Sequence, residues 1–194
     1  VLDAVEDLIG PDIRLFHLSV WPKDPGTGTY VSWHQDATYF ALDPVCHVTA
    51  WVALTDAPVE SGCMEVVPGS HKLGQLRHAD MQDTDNLLSR GQTLTANVDR
   101  SHTTYMAVKA GQFSLHHTHL VHNSRPNRSQ NRRVGLGISY IPTHARCIMP
   151  TRVSAMLVRG RDSYNNFDDE RRPLVEAGPE ERAFHAEAVA TFRK

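Results

Sequence analysis

Twelve histidines in 194 residues are far more than an ordinary share, and histidine is both the commonest metal ligand and a frequent general base. His34-Gln35-Asp36 sets an imidazole and a carboxylate two residues apart. On an extended chain, positions i and i+2 share one face, so both side chains can reach one ion. One further histidine completes a two-His, one-carboxylate face with three positions left open, the arrangement of non-haem Fe(II) oxygenases. Four later histidines compete for that place: His116, His117, His119 and His122. If residues 112–122 form one strand, His116 shares a face with His122, and His117 and His119 share the other. The pair alone is a weak signal. With 12 His and 14 Asp, chance supplies 12 × 14 / 194, or about one such pair. A second does occur, His78-Ala79-Asp80, and its polar surroundings (Arg77, Gln82) read as a solvated surface.

The elements that must position these residues are short. Residues 13–21, 30–34, 46–54, 63–67, 93–98, 112–122 and 133–141 read as strands from their apolar, β-branched and aromatic content. Turns rich in Pro, Gly, Asp and Asn separate them. Residues 1–9 and 179–192 read as helices, the second with Pro near its first turn. Residues 70–104 are polar and weakly patterned, an excursion over the surface. Many short strands in sequence predict a mainly β, antiparallel sandwich or barrel with flanking helices. There is no Gly-rich phosphate loop opening a helix and no Gly-x-Ser-x-Gly elbow.

The length suits one domain. A 40% hydrophobic, 22% charged composition argues against disorder. The formal net charge of −2 gives no electrostatic case for a nucleic-acid partner. No apolar run is long enough to span a bilayer as a helix. Three scattered cysteines, Cys46, Cys63 and Cys147, fit a reducing, cytoplasmic compartment. The chain opens without Met in a helix-like run, so a preceding N-terminal portion is expected.

From residue 13 to 141 the chain resembles the phytanoyl-CoA dioxygenase family of Fe(II)/2-oxoglutarate oxygenases. Four parts carry the resemblance. They are His34-Gln35-Asp36 with aromatics close behind, Trp51 seventeen residues after His34, the Gly62-Cys63-x-x-x-x-Pro68-Gly69-Ser70-His71-Lys72 segment, and His122 followed by Ser124 and, eleven residues on, Arg133. The resemblance implies a double-stranded β-helix, a cupin-like jelly roll, with residues 142–194 as a C-terminal extension. Members are usually longer at the N-terminus.

Carried over by motif, the metal ligands are His34, Asp36 and His122, because only His122 sets Ser124 and Arg133 at the family spacing. The cofactors implied are Fe(II), 2-oxoglutarate as cosubstrate, and O2. The far carboxylate of 2-oxoglutarate needs a buried, bidentate cation, which points to Arg133 on a strand beside that of the distal histidine. Arg132 would face the other way. Ser124 can donate to the same carboxylate, and Gln35 and Trp51 match positions that line the cosubstrate pocket. Tyr30, Trp33, Thr38, Tyr39, Asn123 and Arg125 neighbour the ligands and are candidates for substrate contacts. The implied reaction converts 2-oxoglutarate and O2 to succinate and CO2 and hydroxylates a small organic substrate. Asp36 argues for hydroxylation over halogenation, since related halogenases put a small residue there. Two rivals stand beside this reading: a non-oxidative metal-dependent hydrolase or isomerase, and an inactive metal-binding jelly-roll module. The first leaves Arg133 and Ser124 without a task.

Overall fold

Short apolar runs broken by Pro, Gly and Asn become strands along most of the chain in the computed structural model, which describes residues 1–192. In chain order the elements are α1 (Leu2–Ile9), β1 (Ile13–Lys23), β2 (Val31–His34), β3 (Leu42–Asp43), β4 (Val48–Ala53), β5 (Met64–Val66), β6 (His78–Asp80) and β7 (Gln92–Leu94). They continue with β8 (Thr104–Met106), β9 (Phe113–His117), β10 (His122–Ser124), β11 (Arg133–Pro142), β12 (Arg146–Cys147), β13 (Ser154–Arg159), β14 (Asp168–Asp169) and α2 (Pro179–Phe192). One sheet has the order β14-β13-β1-β11-β4-β9, and a second has the order β2-β10-β5-β8. The protein is mainly β with few helices, as its strand pattern predicts. Among the described residues no helix is long and apolar enough to cross a membrane.

Two compact units are present. The first holds Val1–His17, Ala41–His47 and the chain from Ser139 onward. Its buried Arg14 donates to Asp162 Oδ2 at 2.6 Å, Asp169 Oδ1 at 2.7 Å and the Ala155 carbonyl at 2.6 Å. These bonds tie β1 to β13 and β14, and Phe16 meets Phe167 edge-on. The strand β13 was not legible in the sequence.

The second unit, Leu18–Phe40 and Val48–Ile138, contains every candidate site residue. Thr49 and Trp51 on β4 share the face opposite to Val48, Ala50 and Val52. Gly135 on β11 is required by this packing, because a Cβ there would run into the Trp51 indole.

Two sequence expectations need correction. Residues 112–122 do not form one strand: β9 ends at His117, a turn follows, and β10 begins at His122. The strand β9 pairs with β4 in one sheet, and β10 pairs with β2 and β5 in the other. His116 and His122 therefore belong to different sheets, and alternation along a single strand does not relate them. Likewise β11, which carries Arg133, lies between β1 and β4, not beside β10. The polar excursion 70–104 contains a 3-10 turn (Ser70–Leu73) and the hairpin β6–β7, with His78 opposite Leu94.

Candidate metal and cosubstrate site

His34 ends β2 and His122 opens β10, and the two lie directly opposite each other in the antiparallel pairing. Their rings are 4.1 Å apart, centroid to centroid. Gln35 keeps an extended backbone (φ −124°, ψ 136°) before the 3-10 turn of Asp36–Thr38. Alternation therefore carries past the end of β2, and Asp36 emerges on the same side as His34. One ligand atom from each of His34, Asp36 and His122 falls within 4.8 Å of the others.

The tautomers follow from the neighbours. His34 Nδ1 is 2.9 Å from the Ser32 carbonyl, and His122 Nδ1 is 2.9 Å from the Leu120 carbonyl. A carbonyl only accepts, so both Nδ1 atoms carry the proton and both Nε2 atoms present a lone pair. Those Nε2 atoms lie 3.4 Å and 3.6 Å from Asp36 Oδ1. Ligands about 2.1 Å from one ion, at adjacent octahedral corners, would be about 3 Å apart; the two spacings to Asp36 are close to that, and the set as a whole, gathered within 4.8 Å, would close further around an ion. Burial, reinforced by the nearby His34, pushes the His122 imidazole down to about 3. It is neutral at pH 7, as a metal ligand must be. The donor set thus fits a divalent transition ion.

The other oxygen of Asp36 is occupied. Thr49 Oγ1 donates to Oδ2 at 2.7 Å, and His116 Nε2 is 3.1 Å from it. Thr49 escaped the sequence reading, whereas His116 was weighed there as a rival for the distal place. Thr49 could have been found as the i−2 partner of Trp51 on a strand.

Two buried cations sit further along the same walls. Arg133 is 2% exposed, and its guanidinium lies 5.2 Å from the Trp51 ring. Among the described residues its Nε has no hydrogen-bond partner, and burial pushes its pKa down to about 10. Lys23, at the inner end of β1, is 0% exposed. Burial and the neighbouring Arg133 push its ammonium down to about 7. Its three N–H bonds nevertheless match three acceptors: the Ser124 carbonyl at 2.9 Å, Ser124 Oγ at 2.6 Å and the Arg125 carbonyl at 2.7 Å. Among the described residues neither cation has a carboxylate partner. A buried, uncompensated charge is expensive, and an anion placed between the two would offset that cost. Thr49 touches Asp36 and Trp51 touches Arg133, so Asp36 and Arg133 both meet the same face of β4, at positions two residues apart. Nothing in the sequence distinguishes Lys23 from an exposed lysine before a Pro-Gly loop.

Several other candidates serve differently. Ser124 Oγ donates to the Gly62 carbonyl at 2.7 Å and accepts from Lys23, so its proton is already committed. Gln35 points away from His34 and is fully buried. Its amide nitrogen donates to the carbonyls of Gly74 (2.9 Å) and His119 (2.7 Å), and its oxygen accepts from the Leu76 N–H (2.8 Å). It braces the motif rather than lining a pocket. His78 is not a solvated residue either. Its Nε2 accepts the Gln35 N–H at 3.1 Å, and its Nδ1 lies 2.9 Å from the Leu76 carbonyl.

Among the substrate candidates, Tyr39 packs edge-on against His34 at 6.4 Å. Thr38 binds His78 and Gln75. Trp33 alternates to the far side of β2 and packs against a cluster that includes Val67, Leu94, Val98 and Val121. Tyr30 donates to Asp83 Oδ2 at 2.6 Å in an exposed setting. Asn123 opposes Glu65 on the face of β10 turned from His122. Arg125 is held by both oxygens of the buried Glu65, at 2.8 and 3.0 Å. Sequence adjacency misassigned Trp33 and Asn123, which sit one residue from a ligand and hence on the opposite face. Arg132 is exposed and pairs with Asp24.

The family model for phytanoyl-CoA dioxygenase (PhyH) matches residues 1–135. The chain belongs to the phytanoyl-CoA dioxygenase family. It is 33% identical over 116 residues to a phytanoyl-CoA dioxygenase domain-containing protein 1 homolog of Caenorhabditis elegans, covering 57% of this chain and 40% of that protein. It is 33% identical over 121 residues to phytanoyl-CoA dioxygenase 1 of Oryza sativa subsp. japonica, covering 62% and 42%. The chain thus spans about two fifths of these curated relatives. Among solved structures, the apo form of the non-heme monooxygenase ThoJ superposes with a TM-score of 0.86 at 32% identity, over 99% of this chain and 70% of that one. The epimerase SnoN, solved with Fe3+, alpha ketoglutarate and nogalamycin RO, gives a TM-score of 0.57 at 29% identity, over 73% and 55%.

Proposed function

We propose that this chain is an Fe(II)/2-oxoglutarate-dependent dioxygenase that hydroxylates a small organic substrate. The observation that carries the reading is the juxtaposition of a His-Asp-His face with two buried cations that have no carboxylate of their own. A hydrolytic or isomerising metal centre gives Arg133 and Lys23 nothing to bind.

His34 Nε2, Asp36 Oδ1 and His122 Nε2 would hold the iron. When bound, iron supplies the O2-dependent oxidative decarboxylation of 2-oxoglutarate to succinate and CO2. The chain does the rest. The Ser32 and Leu120 carbonyls fix the two imidazoles, and Arg133 takes the distal carboxylate while Lys23 adds a second positive charge. Trp51 covers that guanidinium and keeps water from the ion pair. Three free cysteines and a ferrous ion suit a reducing, cytoplasmic setting.

Succinate release from 2-oxoglutarate with Fe(II), ascorbate and O2 tests the reading, because uncoupled turnover needs no primary substrate. We expect release that requires Fe(II) and stops in Asp36→Ala. A folded, iron-loaded protein that releases none would overturn the assignment.

A further inference from the structure

A third imidazole stands at the site without belonging to the ligand set. His116 comes from β9, in the sheet opposite to His34 and His122, and its ring is 4.7 Å from that of His122. Its Nε2 lies 3.1 Å from Asp36 Oδ2, the oxygen to which Thr49 also donates. The two ligand imidazoles lie instead against Oδ1. We propose that His116, together with Thr49, is a positioning residue that holds Asp36 as a one-oxygen ligand. This rests on the reading of Asp36 as a metal ligand.

The tautomers separate His116 from the other two. His34 and His122 keep their proton on Nδ1, against backbone carbonyls, and turn a bare Nε2 toward Oδ1. The Asp36 carboxylate only accepts, so His116 must carry its proton on Nε2. It is a donor where its neighbours are lone-pair ligands.

A packing role does not account for it. His116 is 6% exposed, and among the described residues its Nδ1 has no hydrogen-bond partner. A buried acceptor left unpaired is destabilising, and an apolar side chain would fill the same space without that cost. The hydrogen bond His116 does make goes to the metal's carboxylate.

The arrangement has a chemical consequence. Six coordination positions less three protein ligands leaves three, two for a chelating 2-oxo acid and one for O2. An Asp36 free to bind through both oxygens would close one of them. Two donors on Oδ2 prevent that.

Co(II) titration, followed by visible absorption and calorimetry, tests the proposal without turnover. In His116→Leu we expect Co(II) binding to weaken at least about tenfold, as for other partners of a ligand, with a changed visible spectrum. The fold should persist by circular dichroism. Thr49→Val should shift the spectrum in the same direction. His116→Gln, which returns an N–H donor to Asp36, should restore most of the affinity and the native spectrum. Unchanged Co(II) affinity and spectrum in folded His116→Leu and Thr49→Val would overturn the proposal. Should Asp36→Ala keep its Co(II) until His116→Leu is added, His116 is itself a ligand and the proposal is wrong. Should Asp36→Ala alone bind Co(II) as the parent does, and the double variant as well, the ligand reading fails instead.

Discussion

Arg133→Ala removes the guanidinium and leaves the metal donors in place. Losing one partner of a desolvated charge pair costs about 2–5 kcal/mol. Here the lower part of that range applies, because Lys23 remains nearby as a second buried cation. At about 1.4 kcal/mol per tenfold, a loss of about 2–3 kcal/mol weakens 2-oxoglutarate binding roughly 30- to 150-fold. The assay is anaerobic calorimetry of 2-oxoglutarate into the Co(II)-loaded protein, with Co(II) affinity measured in parallel and expected to stay within about twofold. Arg132→Ala is the control. That side chain is 60% exposed and paired with a half-exposed Asp24, a class of contact worth about 0–1 kcal/mol. It should leave cosubstrate binding almost untouched. Equal losses in the two variants, or a larger loss in Arg132→Ala, would refute the argument that the buried cation recognises the distal carboxylate.

Three further outcomes follow from the same geometry. Lys23→Met should abolish a rise in the stability of the cosubstrate-free protein between about pH 7 and 10.5. The native ammonium loses its proton near 7 while the unfolded chain holds it to about 10.5, so parent stability rises between those values; pH-resolved urea melts that show the same rise in the variant would refute this. Gln35→Leu, which strips three backbone bonds from a buried amide, should cost about 2 kcal/mol or more in urea unfolding. A neutral result would mean that Gln35 braces nothing. Gly135→Ala should drive Trp51 off Arg133, costing about 1–3 kcal/mol of stability and weakening 2-oxoglutarate binding more than Co(II) binding.

The sequence announced the site better than it announced the site's supports. The closeness of His34 and Asp36 was legible because a spacing of two on extended backbone has a geometric meaning, whereas His122 was picked from four histidines by the family resemblance alone. Arg133 stood out through its distance from His122, although its strand proved to lie in the opposite sheet. His116 was misplaced because His-His-Thr-His contains no Gly or Pro to mark the turn that ends β9. His78 was hidden by polar neighbours, since a histidine accepting one backbone N–H looks the same in sequence as a solvated one. Lys23 was invisible for the opposite reason: lysine is almost always exposed, and only the pairing of β1 reveals that this one is not.

The brace around Gln35 bears on how the protein can change over generations. Its three side-chain partners are main-chain atoms of Gly74, Leu76 and His119. Main-chain carbonyls are the same whatever residue supplies them, and so is the Leu76 N–H for any residue but proline. Substitutions in the surrounding loops can therefore accumulate without reaching the His34-Gln35-Asp36 motif. Insertions and deletions in those loops move the carbonyls themselves, and these are the changes the motif cannot absorb.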